Sequence, residues 1–228
     1  MPATDRVLIF CPHPDDVELF LGGTMLRHLG EGAAVRIVMM TCGEKGSILS
    51  LLGARKMAQV RQTRIEEIEA RHRMIPSVEV SFLNLPDRDV RLSDETVERA
   101  VREFEQFAPT ILYLPESVKG QTFYLHSDHL ATGLIAEAAA GRTSSSAIRR
   151  YYHSKQPNTL VDVTPFYEPN LEGLRCYKTQ YSWHTGIPFL LRHYEKVRYR
   201  ETRKYGEQIG VQFAEAFREA EAPVRPPA

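Results

Sequence analysis

From Val7 to Leu114 the chain repeats one local unit: a short apolar run, a polar loop, then a stretch with apolar residues at helical spacing. The first run, Val7 to Phe10, stops at Pro12 and Pro14, as a buried strand entering a loop does. Gly22-Gly23-Thr24 opens a helix of about two turns with Met25, Leu26 and Leu29 as its stripe. Val35 to Met40 reads as a second buried strand and Cys42 to Gly46 as the loop leaving it. A long polar helix follows, its apolar positions Met57, Val60, Ile65, Ile68 and Met74 recurring at spacings near three and four. Val78 to Leu83 is a third strand. Ser93 then caps a helix with acidic Asp94 and Glu95 in its first turn and Val97, Val101 and Phe104 as its buried stripe. Thr110 to Leu114 is the fourth strand.

Short apolar strands alternating with amphipathic helices stack as βαβ units, because each right-handed crossover lays its helix back on the sheet. The expected fold is therefore α/β, a single domain with a Rossmann-like, mostly parallel sheet and helices on both faces. Beyond about residue 150 the pattern weakens. Leu160 to Val163 reads as a strand, and Pro165 to Tyr177 and Phe189 to Glu207 as helices. With no linker and no repeat, one domain is expected over residues 1–221, followed by a disordered proline-rich tail at 222–228.

Charge narrows the partners. The 29 basic and 29 acidic side chains cancel, so no global field draws in nucleic acid or an anionic membrane. No apolar run is long enough to span a bilayer. Cys11, Cys42 and Cys176 are too scattered for a disulfide framework or a CxxC zinc site; they read as buried thiols of a cytoplasmic protein. His28, His72, His153, His184 and His193 lie in no motif and read as surface or internally satisfied residues. Arg71-His72-Arg73 and Arg198-Tyr199-Arg200 read as solvated helix faces. Nothing in the sequence sets the oligomeric state, and a homo-oligomer is compatible with it.

Two segments carry chemistry. Cys11-Pro12-His13-Pro14-Asp15-Asp16-Val17-Glu18 puts a histidine and adjacent carboxylates at the carboxyl end of the first strand, where open α/β sheets bind ligands. Tyr124-Leu125-His126-Ser127-Asp128-His129 follows the fourth strand and can reach the same rim. His13 and Asp16 are three apart, as are His126 and His129, so each pair can act from one turn. Two histidines and one carboxylate with an open position describe a catalytic zinc site. The surplus residues suit the base and the acid that hydrolysis also needs. Two other classes fit part of the pattern: a non-haem iron oxygenase, from the His126-Ser127-Asp128 spacing, and a non-catalytic metal- or sugar-binding module. The strand–helix alternation and the HPDD loop argue against the first, and the spare Asp15 against the second.

The segments HPDDVEL-x-x-GGT (His13 to Thr24), Thr41-x-Gly43-Glu44, Arg64-x-x-Glu67, Leu85-Pro86-Asp87 and HSDH (His126 to His129) resemble the LmbE-like, PIG-L type zinc N-deacetylases. The resemblance runs from Val7 to about Phe217, including Gly210 to Phe217. Its wording is most similar to the bacillithiol-pathway enzymes that act on N-acetylglucosaminyl malate. It implies a hydrolase that removes N-acetyl from an N-acetylglucosamine-type small-molecule conjugate, giving acetate and a free amine. It further implies His13, Asp16 and His129 as ligands of Zn2+, Asp15 as general base, and His126 as general acid oriented by Asp128. Arg64 and Tyr124 become substrate contacts. The same ligand set can hold Fe2+ or Co2+. The chain departs from the family in three places: Ser127 replaces a usual proline, Phe20-Leu21 a smaller pair, and Pro115 to Leu125 is longer than in bacillithiol-type relatives.

Overall fold

A computed structural model describes residues 4–46, 53–181 and 190–220. The first-half alternation folds as expected: β1 (Arg6–Cys11), β2 (Ala34–Met39), β3 (Glu79–Phe82) and β4 (Ile111–Pro115) pair in parallel, in the spatial order β3-β2-β1-β4. β5 (Ile148–Tyr152) extends the sheet in parallel beyond β4. β7 (Ala214–Ala220) then joins antiparallel, and β6 (Thr159–Asp162) closes the edge antiparallel to β7. The result is a seven-stranded, mostly parallel sheet with a reversed strand near one edge.

β1 is central and buried on both sides, which is why its sequence is uniformly apolar rather than alternating. Val7 and Ile9 enter the apolar cluster on one face, with Met25, Val35 and Leu174. Leu8 and Phe10 enter the other, with Val97, Phe104 and Ile135. Each such side chain contributes about 1.5–3 kcal/mol on burial.

The helices are α1 (Asp16–Phe20), α2 (Gly22–Gly30), α3 (Ala54–Met74), α4 (Asp94–Phe107), α5 (Ser127–Arg142), α6 (Tyr167–Leu174), α7 (Lys178–Tyr181) and α8 (Leu190–Ile209). Ser93 caps α4 in a reciprocal box with Thr96, as its sequence predicts. The paired glycines opening α2 answer to packing: a Cβ on Gly22 would collide with Asn170, and one on Gly23 with Val163. The free amides of this helix start are closed by Glu215 on β7, whose carboxylate accepts from Gly23 N (3.2 Å) and Thr24 N (2.8 Å).

Several sequence expectations are corrected. On α3, Met74 is exposed and Met57 and Ile65 are half-buried; the buried face is Val60, Arg64, Glu67, Ile68 and Arg71. That face is charged because it meets polar groups of the sheet rim. Arg71 is therefore not solvated: its Nε donates to Glu18 Oε1 at 2.7 Å, both groups buried. Arg198 is likewise buried against Glu215, at 2.6 Å. Cys176 is half-buried, whereas Cys11 and Cys42 are buried. The 222–228 tail, His184 and Phe189 lie outside the described residues.

Candidate active site

The HPDD loop leaves β1 and turns at once into α1, with Asp15 at the cap position and Asp16 as the first helical residue. α5 begins after β4 in the same way: His126 is its cap, and His126 Nδ1 accepts from Asp128 N at 3.2 Å. Ser127 thus occupies the first helical position, where a proline has no amide to lose. Because β1, β4 and β5 are neighbours, their carboxyl ends bring three separate segments to one rim.

His13, Asp16 and His129 converge. Asp16 Oδ2 lies 3.2 Å from His13 Nδ1 and 3.4 Å from His129 Nε2. A tetrahedral ion with bonds of about 2.0–2.1 Å spaces its ligand atoms by roughly 3.3–3.4 Å. The three donors therefore fit one ion, and His129 Nε2 is buried with no hydrogen-bond partner, as a ligand atom would be. His13, His126 and Asp128 form a second possible group. There the Asp128 carboxylate accepts from Arg88 N (2.7 Å) and Val90 N (3.4 Å), and His126 Nδ1 accepts from the Asp128 amide, which leaves His126 to offer Nε2.

Electrostatics favour a cation here. Burial opposes charge on His13, yet the carboxylates of Asp128, Asp16 and Asp87 outweigh it and push its pKa well up. Burial likewise opposes charge on Asp16, but His129 and His13 hold it ionised well below the usual carboxylate range. Burial, with His13 and His129 as neighbours, lowers His126.

The expected contact between the Asp128 carboxylate and the His126 ring is not formed. Asp128 Oδ2 faces His13 Nε2 at 3.3 Å, and Asp87 Oδ1 faces the same atom at 3.4 Å. With these carboxylates on Nε2, His13 has its Nδ1 available to bind an ion. The His126 ring accepts a backbone amide at Nδ1, so when neutral it carries its proton on Nε2.

Asp15 lies beside Asp16, with Arg64 Nη1 at 3.6 Å from its Oδ1. Arg64 is buried and also donates from Nε to the Gly43 carbonyl at 3.3 Å, so it links Asp15 to the loop after β2. Tyr124 packs its ring over His129 (centroids 4.5 Å) and stacks on His153 (5.0 Å).

Two residues escape the sequence reading. Asp87 sits in the quoted Leu85-Pro86-Asp87 segment but received no role there. His153 lies outside any motif; it is buried at the carboxyl end of β5, and its Nε2 is 3.0 Å from His129 Nδ1. No sequence signal marks His153, because the strand that precedes it, β5, is not legible in the sequence. Burial, with His129 beside it, lowers its pKa well below the usual histidine value.

Comparison with known proteins shows what the chain is similar to. The chain is 22% identical to the diacetylchitobiose deacetylase of Thermococcus kodakarensis, over 93% of this chain and 82% of the relative. It is 28% identical to a 1D-myo-inositol 2-acetamido-2-deoxy-alpha-D-glucopyranoside deacetylase of Geodermatophilus obscurus, over 65% of this chain and 57% of that one. Among solved structures, N,N'-diacetylchitobiose deacetylase from Pyrococcus horikoshii is similar with a TM-score of 0.80 and 25% identity, covering 95% of this chain and 84% of that chain. The family described as PIG-L, GlcNAc-PI de-N-acetylase, matches residues 8–140, more than half of the chain and both the His13 and the His129 segments. The chain belongs to the PIG-L family of de-N-acetylases.

Proposed function

We propose that the protein is a zinc-dependent hydrolase that removes the acetyl group from an N-acetylglucosamine-type conjugate. The observation carrying this reading is the position of Asp16 Oδ2, 3.2 Å from His13 Nδ1 and 3.4 Å from His129 Nε2, with a second carboxylate, Asp15, on the adjacent residue. A bound divalent ion supplies Lewis-acid polarisation and a water of lowered pKa.

The rest belongs to the chain. Asp15 takes the proton of the attacking water, its carboxylate held by Arg64. His126 donates its Nε2–H to the oxygen that gains negative charge as the acetamide carbonyl becomes tetrahedral. The C–N bond then breaks, and the proton held by Asp15 passes to the departing amine. Acetate and a free amino sugar result. This differs from an Asp128-oriented acid at His126, because Asp128 serves His13.

The substrate class follows from the family and from its named relatives, which are deacetylases of diacetylchitobiose and of an inositol glycoside. N-acetylglucosaminyl malate, inositol and chitobiose conjugates are the aglycone candidates. No helix among the described residues is long and apolar enough to cross a membrane. The test is acetate release by zinc-loaded protein from free N-acetylglucosamine, N-acetylglucosaminyl malate, N-acetylglucosaminyl inositol and diacetylchitobiose, with Asp15→Ala as control. Release that Asp15→Ala abolishes while retaining zinc is expected. Release from none of the four by folded, zinc-bound protein would overturn the reading.

A further inference from the structure

His153 is the most unusual residue near the site. Its backbone adopts φ +66°, a left-handed conformation that a non-glycine residue takes only where its surroundings enforce it. The enforcement is visible: Phe123 N donates to the His153 carbonyl at 3.1 Å, and Thr122 and Ser154 form an isolated antiparallel bridge. The loop between Pro115 and Leu125 thus clamps the residue after β5. Phe20, one of the departures from the family wording, packs edge-on against the His153 ring with centroids 3.8 Å apart. These features together aim one imidazole at another.

His129 must present a lone pair at Nε2 to hold an ion beside Asp16, so its proton must sit on Nδ1. That nitrogen has one partner, His153 Nε2, at 3.0 Å. We propose that His153 is the positioning residue of His129: its neutral ring accepts the His129 Nδ1–H and fixes the tautomer and orientation that turn Nε2 toward the ion. An imidazole here fills the place that a carboxylate or backbone carbonyl commonly takes behind a metal-binding histidine.

This assignment puts the proton of His153 on Nδ1, an atom that is buried and has no hydrogen-bond partner among the described residues. His153 also lines a cavity of about 30 Å3, together with Ser154, Arg198, Glu201, Thr202 and Tyr205. Such a space has room for an ordered water, and the polar lining suits one.

The inference rests on the metal reading above, and the test separates the two. Zinc affinity is measured by chelator competition for the unmodified chain, His13→Ala, His153→Leu and His153→Gln, with thermal melts confirming folding. His153→Leu, which has no acceptor, should weaken zinc binding about 10–100-fold, and His153→Gln, which offers a carbonyl, should recover most of it. Unchanged affinity in His153→Leu, or equal weakening in both variants, would overturn the role of His153 while leaving the metal site standing. Failure of the unmodified chain to bind one zinc that His13→Ala removes would overturn both. Isotope-labelled histidine NMR of the unmodified zinc-loaded protein needs no variant. It should show both His129 and His153 protonated at Nδ1; a proton on His153 Nε2 would refute the assignment.

Discussion

Asp128 Oδ2 lies 3.3 Å from His13 Nε2, and the same carboxylate accepts the backbone amides of Arg88 and Val90. One side chain thereby ties the start of α5, the segment after Asp87 and the HPDD loop to a single point. It is fully buried, so every bond it loses leaves an unsatisfied group.

Replacing Asp128 with Asn keeps the shape but puts an NH2 where an acceptor is needed. Asp128→Asn should cost about 1–3 kcal/mol of stability and weaken zinc binding at least about tenfold. Urea unfolding and chelator competition read both effects. Zinc affinity equal to that of the unmodified chain would mean that Asp128 does not orient His13.

Arg64 contacts Asp15 and the Gly43 carbonyl, which makes it a brace for the base. Arg64→Gln should therefore lower kcat by about a hundredfold, the scale of a 1 Å misplacement, while KM changes little. A raised KM with kcat unchanged would instead restore the substrate-contact role that the sequence resemblance implies.

Gly43 has φ +66°, and a Cβ there would sit 3.1 Å from Arg64 Nη2 and 3.2 Å from Pro14 Cδ. Gly43→Ala should cost about 1–2 kcal/mol from the left-handed backbone alone. It should also displace the guanidinium, so its kcat should fall together with its urea midpoint. A variant that loses stability but keeps full kcat would show that Arg64 tolerates the shift.

Removal of the ion is a separate test. Dialysis against a chelator should abolish acetate release, and added zinc should restore it. The melting temperature should rise on zinc addition, with about 2.7 kcal/mol gained when free zinc exceeds Kd a hundredfold. Activity that survives complete demetallation would contradict the proposed chemistry.

A pH effect is expected away from the site. Tyr113 OH accepts from Arg150 Nη1 at 2.7 Å and lies 3.0 Å from His28 Nε2, so its single proton goes to that nitrogen. Burial and the Arg150 charge lower the pKa of His28; burial raises Tyr113 to about 12. An unfolded histidine titrates near 6.5, so the unfolded chain binds the extra proton first. The His28 contribution is complete above that pH and is lost as pH falls below it. His28→Gln should show a shallower loss of urea midpoint between pH 7.5 and pH 5.5 than the unmodified chain. Parallel losses in both proteins would remove His28 as the cause.

The first half of the fold was readable because β1 and β2 lie between two apolar faces and carry almost no polar residue inward. β5 and β7 were not readable for the opposite reason. Their sequences, Ile148-Arg149-Arg150-Tyr151-Tyr152 and Ala214 to Ala220, contain charges neutralised by residues distant in the chain, as Arg150 with Glu219 at 2.7 Å, Arg218 with Glu116 at 2.6 Å and Glu215 with Arg198 at 2.6 Å. Hydropathy registers the charge and not its partner. The same blindness hid Arg71 and Arg198. Within the site, His13, Asp16, His126 and His129 could be picked out because chemistry had crowded them into two short segments. His153 stands alone in the sequence, and its role exists only once β5 is placed beside β4.

Glu215 closes the start of α2, although 192 residues separate it from Gly23. On the ribosome the segments bearing His13, Asp16, His126 and His129 all emerge before it. The amides that open the helix behind the HPDD loop therefore take their protein partner from the last strand to be made among the described residues, one that carries none of the proposed ligands.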